Sequence, residues 1–278
     1  MKITVISANQ SSVKGVKKEK GQSLFIQSEN HNFLFNFGTG TTFLKNMQTL
    51  GVSCDAIDTA ILSCGNTLHS GGLLPFFTQN RHAAIYARVN AFDARYQKTL
   101  FGMKNVAPDA RLSAKRRILR CKNYFLSKDG SFATFSLSAG AEPLSPANAT
   151  YFFKNENGNF VPDNFSHEMY LLVRADKRWA LFCGDAHAGI ERIVEAAQDL
   201  VLNSLGGRLA WVIGGFNLTL PSGKPVPEQY IDGVATALAD RGIWYYTGHS
   251  THPRAYTRLI SVLGDSVAFY AAGDVIEL

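Results

Sequence analysis

Cysteine is scarce in this sequence of 278 residues, and its four copies are scattered, with no CxxC pair among them. That spacing argues against a zinc ribbon and a disulfide framework, and it favours a reducing, cytoplasmic location. No apolar run reaches the length of a bilayer span, so we expect no membrane-spanning segment. The opening residues, MKITV, predict a first strand and not a signal peptide.

Hydrophobic residues are abundant and suffice for a large core. They make up 46% of the chain, and aromatic residues make up 12%. A core of that size needs no disulfide support. The sequence contains no short-period repeat and no linker that would separate domains, so we expect a single domain over residues 1–278.

Positive charge is in excess, with a net charge of +6, and it is concentrated in two segments. One segment carries Lys14, Lys17, Lys18 and Lys20, and the other spans residues 115–122. Nucleic acid, an anionic surface or a phosphorylated small molecule would each suit such clusters. We favour solvated basic segments over nucleic-acid binding, because aromatic residues are not interleaved with the charges. The expected partner is a small anionic molecule, with neither nucleic acid nor a membrane. The sequence carries no signal for an oligomeric state.

The order of predicted elements indicates sheets covered by helices. Residues 1–8, 23–27, 33–37 and 56–63 have the pattern of strands, and residues 43–50 have helical spacing. The later half alternates strands with helices, including helices over residues 190–202 and 227–239. Residues 92–108 have no regular pattern, and residues 139–149 predict a turn-rich connection. This mixture favours an α/β sandwich of sheets and helices.

Two short motifs are excluded. The stretch GTGTT before residue 43 lacks the third Gly or Ala of a dinucleotide-binding loop, because Phe43 occupies that position. The stretch around Ser250 approaches a nucleophile elbow, but His252 replaces the last glycine and no histidine follows the downstream acids. Neither a dinucleotide fold nor a serine hydrolase is expected.

Polar side chains with metal-binding chemistry follow the ends of several apolar strands. They are Cys64, His69, Asp185, His187, Asn217, His249 and His252. Such strand ends gather functional side chains in α/β sheets. Imidazole, carboxylate and thiolate groups together suit zinc or iron, so convergence of these loops would form a metal site. The alternative for each single residue is a hydrogen-bonded structural role.

In these segments the chain resembles the metallo-β-lactamase-fold superfamily, nearest the ribofuranosyl-aminobenzene 5'-phosphate synthase-like branch. Residues 33–38 resemble an ILFDTG strand, and residues 62–73 resemble a LSHGHxDHxGGL loop. Residues 184–190, 214–218 and 248–252 are similar to GCSHxGI, GGFHL and GHCTG segments, in the same order. The resemblance implies a four-layer αββα sandwich with a metal centre at one edge of its two sheets.

Measured against that family, the first loop has lost most of its ligands. Only His69 remains of a His-x-His-x-Asp-His set, because Cys64, Asn66 and Leu68 occupy the other three positions. Leucine can neither bind a metal nor transfer a proton. Asn36 likewise replaces the acid of the hairpin strand. The metal motif is therefore expected to be degenerate.

The later loops keep more of the family's pattern. Asp185 replaces a cysteine, and His187 and His249 are retained. The implied metal ligands are His69, Asp185, His187 and His249, with Cys64 and His252 as further candidates. This set suits one divalent ion, zinc first and iron or manganese as alternatives, and is too small for the family's usual two. Asp185 is also the candidate catalytic proton acceptor, and the candidate substrate contacts are Asn66, Asn217, Arg116 and Arg117.

Two functions remain open at this point. The resemblance implies a divergent, mono-metal hydrolase acting on a small phosphoester or ester. The alternative is a non-catalytic descendant without a metal that binds a ligand or partner. The losses in the first loop favour the descendant, and the retained later residues favour metal chemistry.

Overall fold

The strands and helices lie within residues 1–137 and 145–278, which are the residues described by this computed structural model. The strands are β1 (Lys2–Ser7), β2 (Ser23–Gln27), β3 (Asn32–Phe35), β4 (Thr59–Leu62), β5 (Ala84–Arg88), β6 (Tyr96–Thr99), β7 (Gly102–Asn105), β8 (Ile118–Cys121), β9 (Tyr124–Leu126), β10 (Phe132–Phe135), β11 (Tyr151–Lys154), β12 (Phe160–Pro162), β13 (Tyr170–Ala175), β14 (Arg178–Cys183), β15 (Arg208–Gly214), β16 (Trp244–Thr247), β17 (Val267–Phe269) and β18 (Val275–Glu277). The α-helices are α1 (Thr42–Thr49), α2 (Thr67–Ser70), α3 (Leu73–Gln79), α4 (Ile190–Leu200), α5 (Glu228–Leu238) and α6 (Pro253–Leu263). Part of the turn-rich connection predicted for residues 139–149 lies outside the described residues.

Two large sheets form the centre of the fold. The first sheet has the order β18-β1-β2-β3-β4-β5-β8, and the second has the order β17-β16-β15-β14-β13-β10-β9. Strands β3, β4, β5 and β8 are parallel neighbours, as are β14, β15, β16 and β17. Parallel neighbours end at the same edge of a sheet, so the loops after them are brought together.

Three hydrophobic clusters show how the layers are stacked. One cluster joins inward side chains of the two sheets, such as Phe35 and Phe182. A second cluster lies between the second sheet and helices α4, α5 and α6, and a third lies between the first sheet and helices α1 and α3. Helix α4 buries Ile190, Ile193 and Val194 on one stripe, as its sequence spacing predicts. These layers form the expected αββα sandwich, which confirms the predicted fold class.

A third, smaller sheet was not predicted. It has the order β12-β11-β6-β7 and includes a hairpin of β6 and β7, in the segment expected to be irregular. The hairpin side chains are exposed or half-buried, so the segment has no alternation of apolar residues to reveal a strand. Helices α2 and α3 are separated by Gly71 and Gly72, and at Gly72 an added Cβ would lie 2.1 Å from the carbonyl oxygen of Phe37.

No helix among the described residues is long and apolar enough to cross a bilayer.

A candidate metal centre at the edge of the two sheets

The predicted metal ligands come from loops on both large sheets. His69 lies in α2, just after β4 of the first sheet. Asp185 and His187 follow β14, and His249 follows β16 in the second sheet. The two sheet edges touch at Gly184, where an added Cβ would lie 2.2 Å from the Ser63 hydroxyl oxygen. Only glycine permits that approach, and it brings loops 116 residues apart in sequence into contact.

Asp185 is the centre of the cluster. Its Oδ2 lies 2.8 Å from His69 Nε2 and 3.3 Å from His187 Nε2, and its Oδ1 lies 2.9 Å from His249 Nε2. The hydroxyl of Ser250 donates a hydrogen bond to the same carboxylate. All four ionisable side chains are buried. One carboxylate therefore holds three imidazoles from three separate loops.

Burial and charge oppose each other at this cluster. Burial raises the pKa of Asp185, but its electrostatic interactions with the imidazoles of His69 and His249 lower that pKa more, so the carboxyl stays ionised well below its usual range. Burial also lowers the pKa of His249 and keeps its ring neutral. Burial alone would also lower the pKa of His187, but the hydrogen bond and the negative charge of Asp185 outweigh burial and raise that pKa. Neutral imidazole and ionised carboxylate are the forms that bind metals.

The donor set fits a divalent cation. The thiol of Cys64, a nitrogen of His69 and an oxygen of Asp185 lie within 4.8 Å of one another. Among the described residues, neither ring nitrogen of His249 has a partner with hydrogen-bond geometry, and Nδ1 of His69 has none. A buried polar atom left unpaired costs about 1–3 kcal/mol, which coordination of a cation would offset. Thiolate, imidazole and carboxylate groups together suit zinc or iron.

His187 is oriented by contacts behind the cluster. Its Nδ1 lies 2.8 Å from Oδ1 of Asn148, which also accepts a hydrogen bond from the amide of Asn217. Because that oxygen is an acceptor, Nδ1 carries the proton, and Nε2 faces Asp185. The ring stacks on Phe165 with centroids 4.0 Å apart. Asn217, predicted to contact substrate, lines the cavity but also supports His187 through Asn148.

A buried carboxylate that the sequence analysis missed fixes the loop of His187. Glu168 is fully buried and accepts hydrogen bonds from the backbone N–H groups of His187 (2.9 Å) and Ala188 (3.1 Å). It also accepts the hydroxyl of Tyr170 at 2.5 Å. The sequence does not single out this role, because an acid directly before an apolar strand is also found in exposed turns.

The first loop has its own support. His167 accepts the backbone N–H of Gly65 at 2.9 Å through Nδ1, and its Nε2 lies 3.2 Å from Asp163. Arg95 lies 3.3 Å from the same carboxylate of Asp163. The amide oxygen of Asn66 caps α2 by accepting the N–H of Leu68. The first loop is thus held firmly in place although its family ligands are replaced.

Backbone strain is concentrated in the same loops. Asn36, Ala186, Asn217 and Ser250 all have positive φ, between 47° and 65°, and they follow β3, β14, β15 and β16. Such conformations cost about 1 kcal/mol or more outside glycine and are retained mainly at functional sites. Their place at four strand ends around one cluster marks this edge as the functional edge.

A cavity of about 480 Å³ opens over the cluster. Its lining includes Asp185, His187, His249 and His252, together with the predicted substrate contact Asn66. Tyr151 also lines it, and burial followed by the nearby charge of Asp185 raises the pKa of that phenol, which therefore stays protonated.

The cations at the cavity differ from those expected. Arg116 and Arg117 are not among its lining residues, and the Arg117 guanidinium donates to the carbonyls of Asn80 and Ala83 while stacking on a phenyl ring. Lys20 and Lys104 line the cavity instead. His252 lines it too, but its Nδ1 accepts the N–H of Arg254 as the cap of α6.

Comparison with known proteins agrees with this geometry. The chain is 25% identical to 7,8-dihydropterin-6-methyl-4-(β-D-ribofuranosyl)-aminobenzene-5'-phosphate synthase of Methanocaldococcus jannaschii, over 93% of this chain and 90% of that protein. No family model matches the chain.

Solved structures resemble it over their full length. Tm1679, described as a metal-dependent hydrolase of the β-lactamase superfamily, has a TM-score of 0.78 with 24% identity, covering 100% of this chain and 99% of its own. Zinc-bound PqqB from Methylobacterium extorquens has a TM-score of 0.59 with 11% identity, covering 100% of both chains. The chain therefore has the fold of the metallo-β-lactamase superfamily, and its sequence is similar to that of a ribofuranosyl-aminobenzene 5'-phosphate synthase.

Proposed function

We propose that the protein is a metal-dependent hydrolase with a single divalent ion and a small anionic substrate, a phosphoester or an ester. The observation that carries the proposal is the convergence of His69, His187 and His249 on one buried carboxylate at the floor of a cavity. The residues that would hold the ion are His69 and Asp185, whose donor atoms lie within 4.8 Å of the Cys64 thiol, together with His187 and His249, which contact the same carboxylate. A divalent ion there would supply Lewis-acid polarisation of a phosphoryl or carbonyl oxygen.

The protein's own groups have defined tasks in this proposal. Asp185 keeps its charge at neutral pH, so it can hold the three imidazoles and accept a proton when one contact is released. The protonated phenol of Tyr151 lines the cavity and is available to donate a hydrogen bond to a substrate oxygen. Leu68 also lines the cavity and cannot replace the family's carboxylate, which is why a two-ion hydrolase is not proposed.

The preference for an anion rests on the charges around the cavity. Among its described lining residues, Asp185 is the one carboxylate, and its oxygens are occupied by contacts with His69, His187 and His249. Lys20 and Lys104 are exposed at the same cavity and leave two positive charges for the substrate. Opposite charges of this kind raise the local concentration of an anion and its rate of association.

Metal analysis of the purified protein tests the first part. We expect about one equivalent of zinc, iron or manganese in the wild type, and a raised melting temperature when that metal is added back. His69→Ala and His249→Ala should lose both effects, whereas His82→Ala, at an exposed histidine, should retain them. A protein without metal and without a thermal response would overturn the proposal and favour the non-catalytic alternative.

Activity on a panel of phosphodiesters, esters and lactams tests the second part. Lys20→Gln and Lys104→Gln should each raise KM for an anionic substrate severalfold with little change in kcat. The matched controls are Lys18→Gln and Lys98→Gln. Lys98 pairs with Met103 on the hairpin, one position from the Gln97–Lys104 pair that lines the cavity, so its side chain points to the other face. Equal effects of all four variants would contradict a specific subsite.

A further inference from the structure

The hairpin of β6 and β7 carries an exposed apolar tip. Leu100 and Phe101 are 99% and 100% exposed, whereas the next most exposed large apolar side chain among the described residues, Leu202, is 73% exposed. Isolated exposed apolar residues are common, but two adjacent ones projecting fully from a hairpin tip are not. The tip is unrelated to the chemistry of the cluster and requires a separate explanation.

The tip is held in a fixed conformation. The N–H of Phe101 donates to the hydroxyl of Thr99 at 3.2 Å, and that hydroxyl donates to the carbonyl of Gly102 at 2.9 Å. Gly102 has a φ of 106°, which closes the turn without a side-chain clash. Strand pairing continues from Thr99 and Gly102 to Tyr96 and Asn105. The two apolar side chains are therefore presented by a hydrogen-bonded turn.

The surroundings of the tip are basic. Residues 94–108 contain no acid, and Lys98 and Lys104 are exposed on the hairpin. Lys104 lines the same cavity as Lys20, the last lysine of the first basic segment. Glu19, the acid of that segment, is engaged with the backbone and hydroxyl of Thr39.

We call this surface the basic face; it consists of the apolar tip of Leu100 and Phe101, the lysines Lys98 and Lys104 on the two strands of the hairpin, and Lys20, which lines the same cavity as Lys104.

The composition of the basic face selects among partners. A stable protein interface involves about 20–30 residues on each side, far more than two apolar side chains supply. A second copy of this chain would bring like charges together at the same face. Single-stranded nucleic acid is bound by stacking on aromatic rings, and Leu100 has none. An anionic lipid surface accepts a small apolar tip and attracts lysines placed around it.

We propose that the basic face docks on an anionic lipid surface, with Leu100 and Phe101 inserted below the headgroups and the lysines beside the phosphates. The absence of a spanning segment made a membrane partner unexpected, but peripheral contact needs no such segment. Docking would turn the mouth of the cavity toward the lipid. The proposal does not depend on hydrolysis, because binding to vesicles is measured without any substrate.

Co-sedimentation of the full-length chain with phospholipid vesicles tests it. We expect binding to vesicles of phosphatidylcholine with phosphatidylserine, weakening steeply as salt is raised, and little binding to phosphatidylcholine alone. The double variant Leu100→Ser/Phe101→Ser should reduce binding at least about tenfold, since both side chains lose their apolar insertion. Lys98→Glu and Lys104→Glu should each reduce it about fivefold or more, because both lysines lie on the hairpin.

Matched controls distinguish binding through the basic face from nonspecific binding to vesicles. Leu202→Ser removes an exposed apolar side chain elsewhere, and Lys122→Glu makes the same charge change in the other basic segment. Both should bind vesicles as the wild type does, and all variants should keep its melting temperature. No binding to anionic vesicles, unchanged binding by the double tip variant, or equal loss in the controls would each overturn the proposal. A different outcome is competition of an RNA oligonucleotide with the vesicles for the protein. If substitution of Phe101 but not of Leu100 abolished that competition, the basic face would be assigned to nucleic acid and the proposal would be overturned.

Discussion

The first loop and the later loops occupy equivalent places, yet they differ in what they contribute to the cluster. Each follows a parallel strand at the same edge, and each is fixed by a buried acid, Asp163 acting through His167 for the first loop and Glu168 for the later one. The later loops supply Asp185 and two of the histidines, while the first supplies His69. Support of a loop and its ligand content are therefore separate properties of this fold.

The reason lies in what each role requires. A supported loop needs backbone hydrogen bonds and a good fit to the sheet, to which Cys64 contributes by being buried and Asn66 by capping α2. A ligand needs a specific atom at a specific place. We therefore expect changes at the later loops and their support to have large effects, and changes at the replaced positions of the first loop, Leu68 and Cys64, to have smaller ones.

Asp185→Asn should have the largest effect. It removes the charge that pairs with His69 and His249, and we expect about 3 kcal/mol of lost stability together with loss of metal binding. The pKa of Asp185 is lower in the folded state than in the unfolded state. Its contribution to the free energy of unfolding is therefore fully present above the unfolded-state pKa of about 3.9, and it is lost as pH falls through the folded-state pKa. Urea unfolding at neutral and acid pH measures this, with Asp199→Asn as the exposed control. Equal stability of the two variants at neutral pH would contradict it.

Glu168→Gln should come next. The neutral amide weakens the bonds from the N–H groups of His187 and Ala188, which are charge-assisted in the wild type. We expect about 2 kcal/mol of lost stability and a loss of metal affinity of about 10- to 100-fold, measured by unfolding and by isothermal titration calorimetry. An unchanged affinity would show that Glu168 supports the fold but does not position His187.

Leu68→Asp tests whether the first loop can regain a metal ligand. It returns a carboxylate to the first loop at the cavity wall, and we expect it to raise metal affinity by about tenfold, which is about 1.4 kcal/mol. Leu74→Asp, at an exposed leucine of α3, is the control for a new negative charge. A rise in the bound metal from one equivalent to two would show that this one residue determines the number of ions.

Cys64→Ser should have the smallest effect, about threefold in metal affinity near neutral pH. Burial, followed by the charge of Asp185, raises the pKa of this thiol, so an ion must displace its proton to bind the sulfur. The cost of the substitution should therefore grow as pH rises, which titrations at several pH values would show. Cys183→Ser, at another buried thiol outside the metal-binding group, should show no such pH dependence.

Much of the fold followed from sequence patterns. Alternation and helical spacing located β1, β2, α1, α4 and most of the parallel strands, because these elements bury one face against a core. The hairpin of β6 and β7 escaped notice because neither of its faces is buried enough to impose a pattern. The placement of His69, Asp185 and His249 at strand ends was visible because parallel strands bring their ends to one edge.

The rest of the candidate site depended on contacts distant in sequence. Asn148, Glu168 and Lys104 reach it from segments without any motif. Arg117, chosen for its charge, instead binds the carbonyls of Asn80 and Ala83. Local sequence records which groups a residue offers, but not which partners the folded chain places beside it.

By itself the sequence determined the alternation of strands and helices and the order of the ligand-bearing loops, because hydrophobic periodicity and turn chemistry act locally, and the αββα layering was implied by the family resemblance. Only the tertiary structure decided that the loops meet on Asp185, that the cations at the cavity are Lys20 and Lys104, and that the hairpin carrying Lys104 ends in an exposed apolar tip. Those arrangements depend on the close approach of two sheets at Gly184 and on strand register, which are properties of the whole chain.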